Sequence, residues 1–269
     1  MRIEVLENAE AVAVRAADLI CDAVRAKPGA RLGLPTGNTP IAAYDELARR
    51  VDAGACDFSA ADVYAIDEFC RDAALTPQPS WLEPDLRPLP QGGEGECIVP
   101  GRTTPGTNSV FYKEHLRIKP RALHCPNPAA EDPEAHIAAF AEAIRRGGGL
   151  DLCVLGIGAT GHIAFNEPGA ARDSSARVVT LTRLSRQAHA ENFGSLDGVP
   201  SRGMTLGVAD LLESRAIVVL ATGAHKAEVV RAAIKGPMTA EVPASWLQVH
   251  TDVVWLLDKA SAGALHVRP

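Results

Sequence analysis

The sequence predicts an α/β protein with a mostly parallel sheet and helices on both of its faces. Short apolar runs alternate with helical patterns, and several of those runs end in glycine-containing turns that open a helix. At 269 residues the chain is also long enough to bury a substantial core. Hydrophobic residues make up 46% of it and charged residues 22%, the ordinary balance of a soluble globular protein.

The elements follow in order. Residues 9–26 place Val12, Ala16, Leu19, Ile20 and Val24 at helical spacing, and Lys27-Pro28-Gly29 stops that helix. Residues 31–34 read as a short strand running into Pro35-Thr36-Gly37-Asn38-Thr39-Pro40, and 41–51 as a helix. A second strand, 62–66, ends at Asp67-Glu68. Proline and glycine then crowd residues 71–106 and no periodicity survives, which predicts a long loop or excursion. Regular structure resumes with a helix at 131–146, closed by three glycines, and strands at 150–155 and 177–181. The run 216–221 predicts a strand leading through Thr222-Gly223 into a helix at 224–235, and 253–257 a last strand. No repeat or linker divides the chain, so the expectation is one domain, 1–269, with an insertion at about 71–106.

Charge and cysteine content narrow the function. A formal net charge of −6 with no basic block argues against a general nucleic-acid binder; a phosphate ligand would need its own pocket of Lys, Arg and backbone N–H groups. The six cysteines are scattered, without CxxC or metal-ligand spacing, which predicts reduced thiols and no metal site. The opening MRIEVLENAEAV carries acids and no apolar signal core, and no apolar run approaches the ~20 residues of a membrane span. A cytoplasmic location follows as the expectation.

Four segments carry chemistry. The richest is LGIGATGHIAFNE at 155–167. An apolar strand hands over to Gly156, Gly158 and Gly161, glycines that permit positive φ or close approach of a ligand, and then to His162, Asn166 and Glu167. A histidine and a glutamate at the carboxyl end of a strand suit proton transfer near neutral pH. In the second, Thr39 reads as an N-cap with Pro40 at the first helical position. The free N–H groups there suit an anion, although a well-capped turn without a ligand has the same signature. In the third, Asp67 and Glu68 follow a buried strand, and alternation lets only one of them face the ligand edge; both also read as solvated loop acids. In the fourth, Lys226 opposes a helix dipole at its N-terminus, which suits an anion ligand or, more plainly, a surface lysine.

Together LGLPTGNTP, IDEF, LGIG..GHIAFNEPG, VPSRGMTLGVADLL, TGAHKA and SWLQVH resemble the glucosamine-6-phosphate deaminase family, within a wider group that includes 6-phosphogluconolactonases. The resemblance covers most of the chain outside 71–106. It implies a Rossmann-like sheet, no cofactor, and a small-molecule sugar phosphate or amino sugar as partner, with no nucleic acid and no membrane; a homo-oligomer is an open expectation. It implies that His162, oriented by Glu167, assists opening of the sugar ring, and that Asp67 moves a proton from C2 to C1 before ammonia leaves. Thr36, Gly37, Asn38, Thr39 and Lys226 would hold the phosphate, with Gly158 and Gly161 lining the substrate.

Three departures stand out. Thr160 replaces an aspartate two residues before the histidine. Glu191 replaces a phosphate-binding arginine. The insertion replaces a short stretch after Asp67. Ala170, Ala171 and Val179 replace residues tied to allosteric control, so no activation by N-acetylglucosamine 6-phosphate is expected. A relative acting on another, unphosphorylated sugar or a lactone is the alternative, and a catalytically weak sugar-binding regulator is a second.

Overall fold

The computed structural model describes residues 1–71 and 106–266. Ten strands and seven α-helices are found among them. They run β1 (Arg2–Leu6), α1 (Ala9–Ala26), β2 (Arg31–Leu34), α2 (Asn38–Asp52), β3 (Asp62–Ala65), β4 (Asp67–Phe69), α3 (Asn108–His115), β5 (Ala122–His124), α4 (Pro133–Arg146) and β6 (Leu152–Gly156). After these come β7 (Arg177–Thr180), α5 (Arg183–His189), β8 (Arg202–Thr205), α6 (Val208–Leu212), β9 (Ile217–Ala221), α7 (Ala227–Lys235) and β10 (Val253–Asp258). Among the described residues no helix is long and apolar enough to cross a membrane.

Seven strands form a sheet in the order β1-β10-β9-β6-β2-β3-β5, and every pairing in it is parallel. Successive strand residues face opposite sides. Leu152, Val154, Val218, Leu220, Val254 and Leu256 pack with α1, α2 and α3 on one face. Cys153, Leu155, Val219, Trp255 and Leu257 pack with α4 and α7 on the other. The continuous apolar runs of β6, β9 and β10 are thus explained: parallel strands covered on both faces have no polar side to show.

The strand order decides where a ligand can sit. From β2 the sheet grows through β3 to β5, and from β6 it grows the other way through β9 to β10. Neighbouring strands whose connections part in this way leave a crevice at their carboxyl ends. The opposite edge is closed by charge pairing: the Asp151 carboxylate accepts from Lys27 Nζ at 2.8 Å, from the Arg31 N–H at 2.9 Å and from Arg215.

Several sequence expectations shift. The helix expected at 41–51 begins earlier, at Asn38, because Gly37 at φ 95° turns the chain directly into it. Gly37 is therefore the N-cap, not Thr39, and Pro40 sits two residues into the helix. The helix expected at 131–146 starts at Pro133, capped by the Asp132 side chain accepting from the Ala135 N–H at 3.0 Å. The segment 224–235 opens as a 3-10 turn, Ala224–Lys226, before α7. The insertion at 72–105 lies outside the described residues. Five of the six cysteines are described, and all five are free thiols.

A small antiparallel sheet, β4-β8-β7, was not expected. It begins where the chain leaves β3, and Phe69, Phe165, Leu181 and Val199 form its own apolar cluster. Between β8 and α6, Gly207 has an ordinary φ of −73°, yet a Cβ there would collide with the Ser174 carbonyl oxygen. Gly207→Ala is therefore expected to lower the urea midpoint by the equivalent of about 2 kcal/mol with an unchanged m-value.

Candidate active site

The crevice between β2 and β6 collects the segments picked out in the sequence. The loop after β2 is fixed from below by two buried tyrosines, the Tyr44 hydroxyl donating to the Pro35 carbonyl and the Tyr112 hydroxyl to that of Leu34. Gly37 has no side chain to cap α2, so the first N–H groups of this 15-residue helix meet no side-chain acceptor. Thr36, Gly37 and Thr39 are partly exposed at this mouth and Asn38 is exposed. That is the arrangement an anion needs.

One strand over, Asp67 and Glu68 are both buried, and both bond to Asn108 at the start of α3. Glu68 is fully buried and accepts three backbone N–H bonds: Oε1 from Phe69 at 2.7 Å and Asn108 at 2.9 Å, and Oε2 from Ser109 at 2.9 Å. It is the anchor that ties the start of α3 to β4, and neither acid is a solvated loop residue. Asp67 accepts from Asn108 Nδ2 at 2.6 Å. Burial, reinforced by the nearby Glu68 carboxylate, pushes Asp67 up to about 7, and the Asn108 bond pulls in the opposite direction. Burial also pushes Glu68 up to about 7, against the three N–H bonds that favour its charged form.

The loop after β6 folds tightly. The Gly158 N–H donates to the His162 carbonyl at 2.9 Å and the Gly161 N–H to the Gly158 carbonyl at 3.0 Å. Gly161 has φ 81°, but Gly158 is not in the positive-φ region. The absent side chain of Gly158 leaves room for the His162 ring itself, and that of Gly161 for Val242, whose Cγ1 would lie 2.7 Å from a Cβ placed there. At both glycines a side chain would displace protein groups. Ala164, at φ 50°, holds a left-handed turn between His162 and Glu167.

His162 Nδ1 lies 3.0 Å from the Thr160 hydroxyl and 3.6 Å from Glu167 Oε2. Glu167 Oε1 accepts from the Thr182 hydroxyl at 3.2 Å, while Oε2 is buried with no hydrogen-bond partner. Burial lowers the pKa of His162, Glu167 raises it and Lys226 lowers it, leaving the ring neutral near pH 7. With Nδ1 turned to Thr160 and Glu167, Nε2 remains to exchange a proton with a ligand.

The small sheet joins the two halves. Thr205 of β8 pairs with Asp67, and its Oγ1 accepts the Phe165 N–H at 3.3 Å. Buried Asn166 donates to the Leu206 carbonyl at 2.9 Å and braces the loop there. Lys226 Nζ donates to the Ile157 carbonyl at 2.8 Å, at the root of the same loop. The turn before it is held by Asp258, which accepts the Gly223 N–H at 3.0 Å.

Two residues gave no signal in the sequence. Asn108 is isolated from Asp67 by the insertion. His189, edge-on to Phe69 at 5.1 Å, is a lone histidine that burial and the neighbouring His162 push down to about 4. Of the nearby arginines, Arg186 donates to the carbonyls of Leu196 and Val199, while Arg183 and Glu191 are exposed. Among the described residues no group of three or more His, Cys, Asp or Glu could hold a metal ion.

A carboxyl that folding pushes from 3.8 to about 7 binds protons in the native state over a range where the unfolded chain has lost them. Native stability therefore falls as pH rises through that window, and the whole cost is present above pH 7. Asp67→Asn removes it. In thermal unfolding the variant is expected to gain about 2 kcal/mol over the wild type at pH 8 and much less at pH 5.

A model of the family described as glucosamine-6-phosphate isomerases/6-phosphogluconolactonase matches residues 99–255. The chain is 36% identical over 268 residues to a glucosamine-6-phosphate deaminase of Rhodopirellula baltica, covering 100% of this chain and 97% of the relative. It is 35% identical over 269 residues to one of Halothermothrix orenii, covering 98% and 100%. Its structure is similar to that of a monomeric glucosamine-6-phosphate deaminase, with TM-score 0.83, 30% identity and coverage of 98% and 100%. A 6-phosphogluconolactonase from Trypanosoma brucei shares the fold, with TM-score 0.67, 20% identity and 98% coverage of each chain. The fold, the crevice and these likenesses agree: the chain belongs to the glucosamine-6-phosphate isomerase/6-phosphogluconolactonase family.

Proposed function

We propose that the protein is an amino-sugar-phosphate deaminase/isomerase that converts glucosamine 6-phosphate and water to fructose 6-phosphate and ammonia. The observation that carries this reading is the pairing of two proton-transfer groups at one crevice. Asp67 titrates at about 7, and the neutral His162 is backed by Glu167. A carboxylate of raised pKa is the stronger base for a carbon acid, and a neutral imidazole suits ring opening.

The residues take roles in sequence. His162 Nε2 moves the proton between the ring oxygen and the anomeric hydroxyl, and Glu167 steadies the charge that develops on the ring. Asp67 removes the C2 proton, giving an enolamine, and returns it to C1. That leaves an iminium at C2, to which water adds, and ammonia departs as the ketone forms. The phosphate rests on the N–H groups of Gly37, Asn38 and Thr39 at the start of α2, opposite Lys226. Thr160 contributes a hydroxyl and no charge, so the imidazolium has one carboxylate beside it rather than two, which predicts slow ring opening.

A second reading, a sugar without the phosphate or a sugar lactone, is favoured by one observation. Arg186 is occupied by backbone carbonyls, and Glu191, exposed, stands at the position where the resemblance implies a phosphate-binding arginine.

Ammonia release from glucosamine 6-phosphate and from glucosamine separates the two readings. Release from the phosphate ester alone is expected; release from glucosamine alone would overturn the first reading. Asp67→Asn is expected to lose at least about a thousandfold in kcat, the scale of a missing general base. Glu191→Arg is expected to lower KM for the ester several-fold while leaving kcat nearly unchanged. In Gly158→Ala the added methyl overlaps the His162 ring, so kcat should fall at least about tenfold although the backbone tolerates alanine.

A further inference from the structure

Asn108, the first residue of α3, stands between the anion loop and the base. Its Nδ2 donates to Asp67 Oδ1 at 2.6 Å and to the Asp67 carbonyl at 3.0 Å. A carbonyl can only accept, so the amide nitrogen must face Asp67 and the amide oxygen must face away. There the oxygen accepts the Thr36 hydroxyl at 3.0 Å. Asn108 is 3% exposed, and its own N–H is held by Glu68. The side chain has no second arrangement that satisfies both partners.

We infer that Asn108 is the positioning residue for Asp67: its amide holds Oδ1, leaves Oδ2 for the C2 proton, and is itself locked by the Thr36 hydroxyl. The inference rests on Asp67 being the base of the proposed reaction. It also changes the reading of Thr36. A hydroxyl has one proton, and here it is spent on Asn108, so Thr36 acts on the base, and the phosphate is left to the backbone N–H groups and Lys226.

The electrostatics agree. Glu68 beside it on β4, Tyr44 from α2, Tyr112 from α3 and Cys153 from β6 face Asp67, and none of them brings positive charge. The Asn108 amide is the group that favours the ionised carboxylate. Without it the carboxyl holds its proton to higher pH and turns more freely.

Asn108→Leu and Thr36→Val test this beside the wild type, with ammonia release from glucosamine 6-phosphate measured across pH. In Asn108→Leu, kcat at pH 7 is expected to fall at least about tenfold with KM within about twofold, and the acid limb of kcat/KM to move up by roughly one unit. Thr36→Val should move the same limb in the same direction by less. If it raises KM and leaves the limb in place, Thr36 is a phosphate donor and that link is overturned. Carbon-13 NMR of labelled aspartates, with Asp67 assigned through Asp67→Asn, reads the carboxyl titration directly. An Asp67 titration unchanged in Asn108→Leu overturns the positioning role. This readout needs no turnover, so a wild type that releases no ammonia refutes the deaminase reading while the titration still decides on Asn108. Should Asn108→Leu fail to fold, Asn108→Ser, which suits a helix start and is too short to reach Oδ1, carries the same measurements.

Discussion

The parting of the sheet between β2 and β6 is the constraint on which the site depends. Parallel strands need long connections, and those leaving β2 and β6 carry the chain away in opposite directions along the sheet. The carboxyl ends of these two neighbours are left uncovered, with one loop presenting the start of α2 and the other presenting His162. No local preference of either loop creates this meeting. It follows from the order in which seven strands are laid side by side, and the tight apolar packing on both faces makes that order hard to change.

Within that crevice the protein keeps two acidic side chains out of water at adjacent positions and uses them differently. Glu68 is surrounded by backbone donors, and its charge fastens α3 to β4. Asp67 has one amide donor and a carboxylate neighbour; burial pushes both acids up to about 7, so the donor set around them is what differs. The arrangement costs stability, which places it among sites where function sets the limit on how favourable the local electrostatics can be.

The histidine loop shows a related economy. Its glycines are consumed by the turn and by the ring of His162, so the loop is rigid before any ligand arrives. The Phe165 bond to Thr205 and the Asn166 bond to Leu206, just beyond β8, fix it against the strand that also pairs with Asp67. His162 and Asp67 are thereby tied to one continuous set of hydrogen bonds, which is what pre-organisation of the two proposed proton-transfer steps requires.

The sequence by itself determined the α/β class, the long helices, the strands with continuous apolar runs, and the identity of Asp67, His162 and Glu167 as candidate proton-transfer residues. These are properties of periodicity and of side-chain chemistry, which a chain carries wherever it goes. The short strands β4, β5 and β8 have too few residues for a period to show, and the small sheet β4-β8-β7 is built from segments far apart in the chain. Only tertiary structure decided where α2 begins, which protein groups fill the space beside the turn glycines, and that Glu68 takes three backbone N–H bonds while Asp67 takes the Asn108 amide. The link from Thr36 through Asn108 to Asp67 belongs with these, because it spans 72 residues on one side and 41 on the other. A hydrogen bond is set by distance in space, and sequence separation of that size leaves no local trace of it.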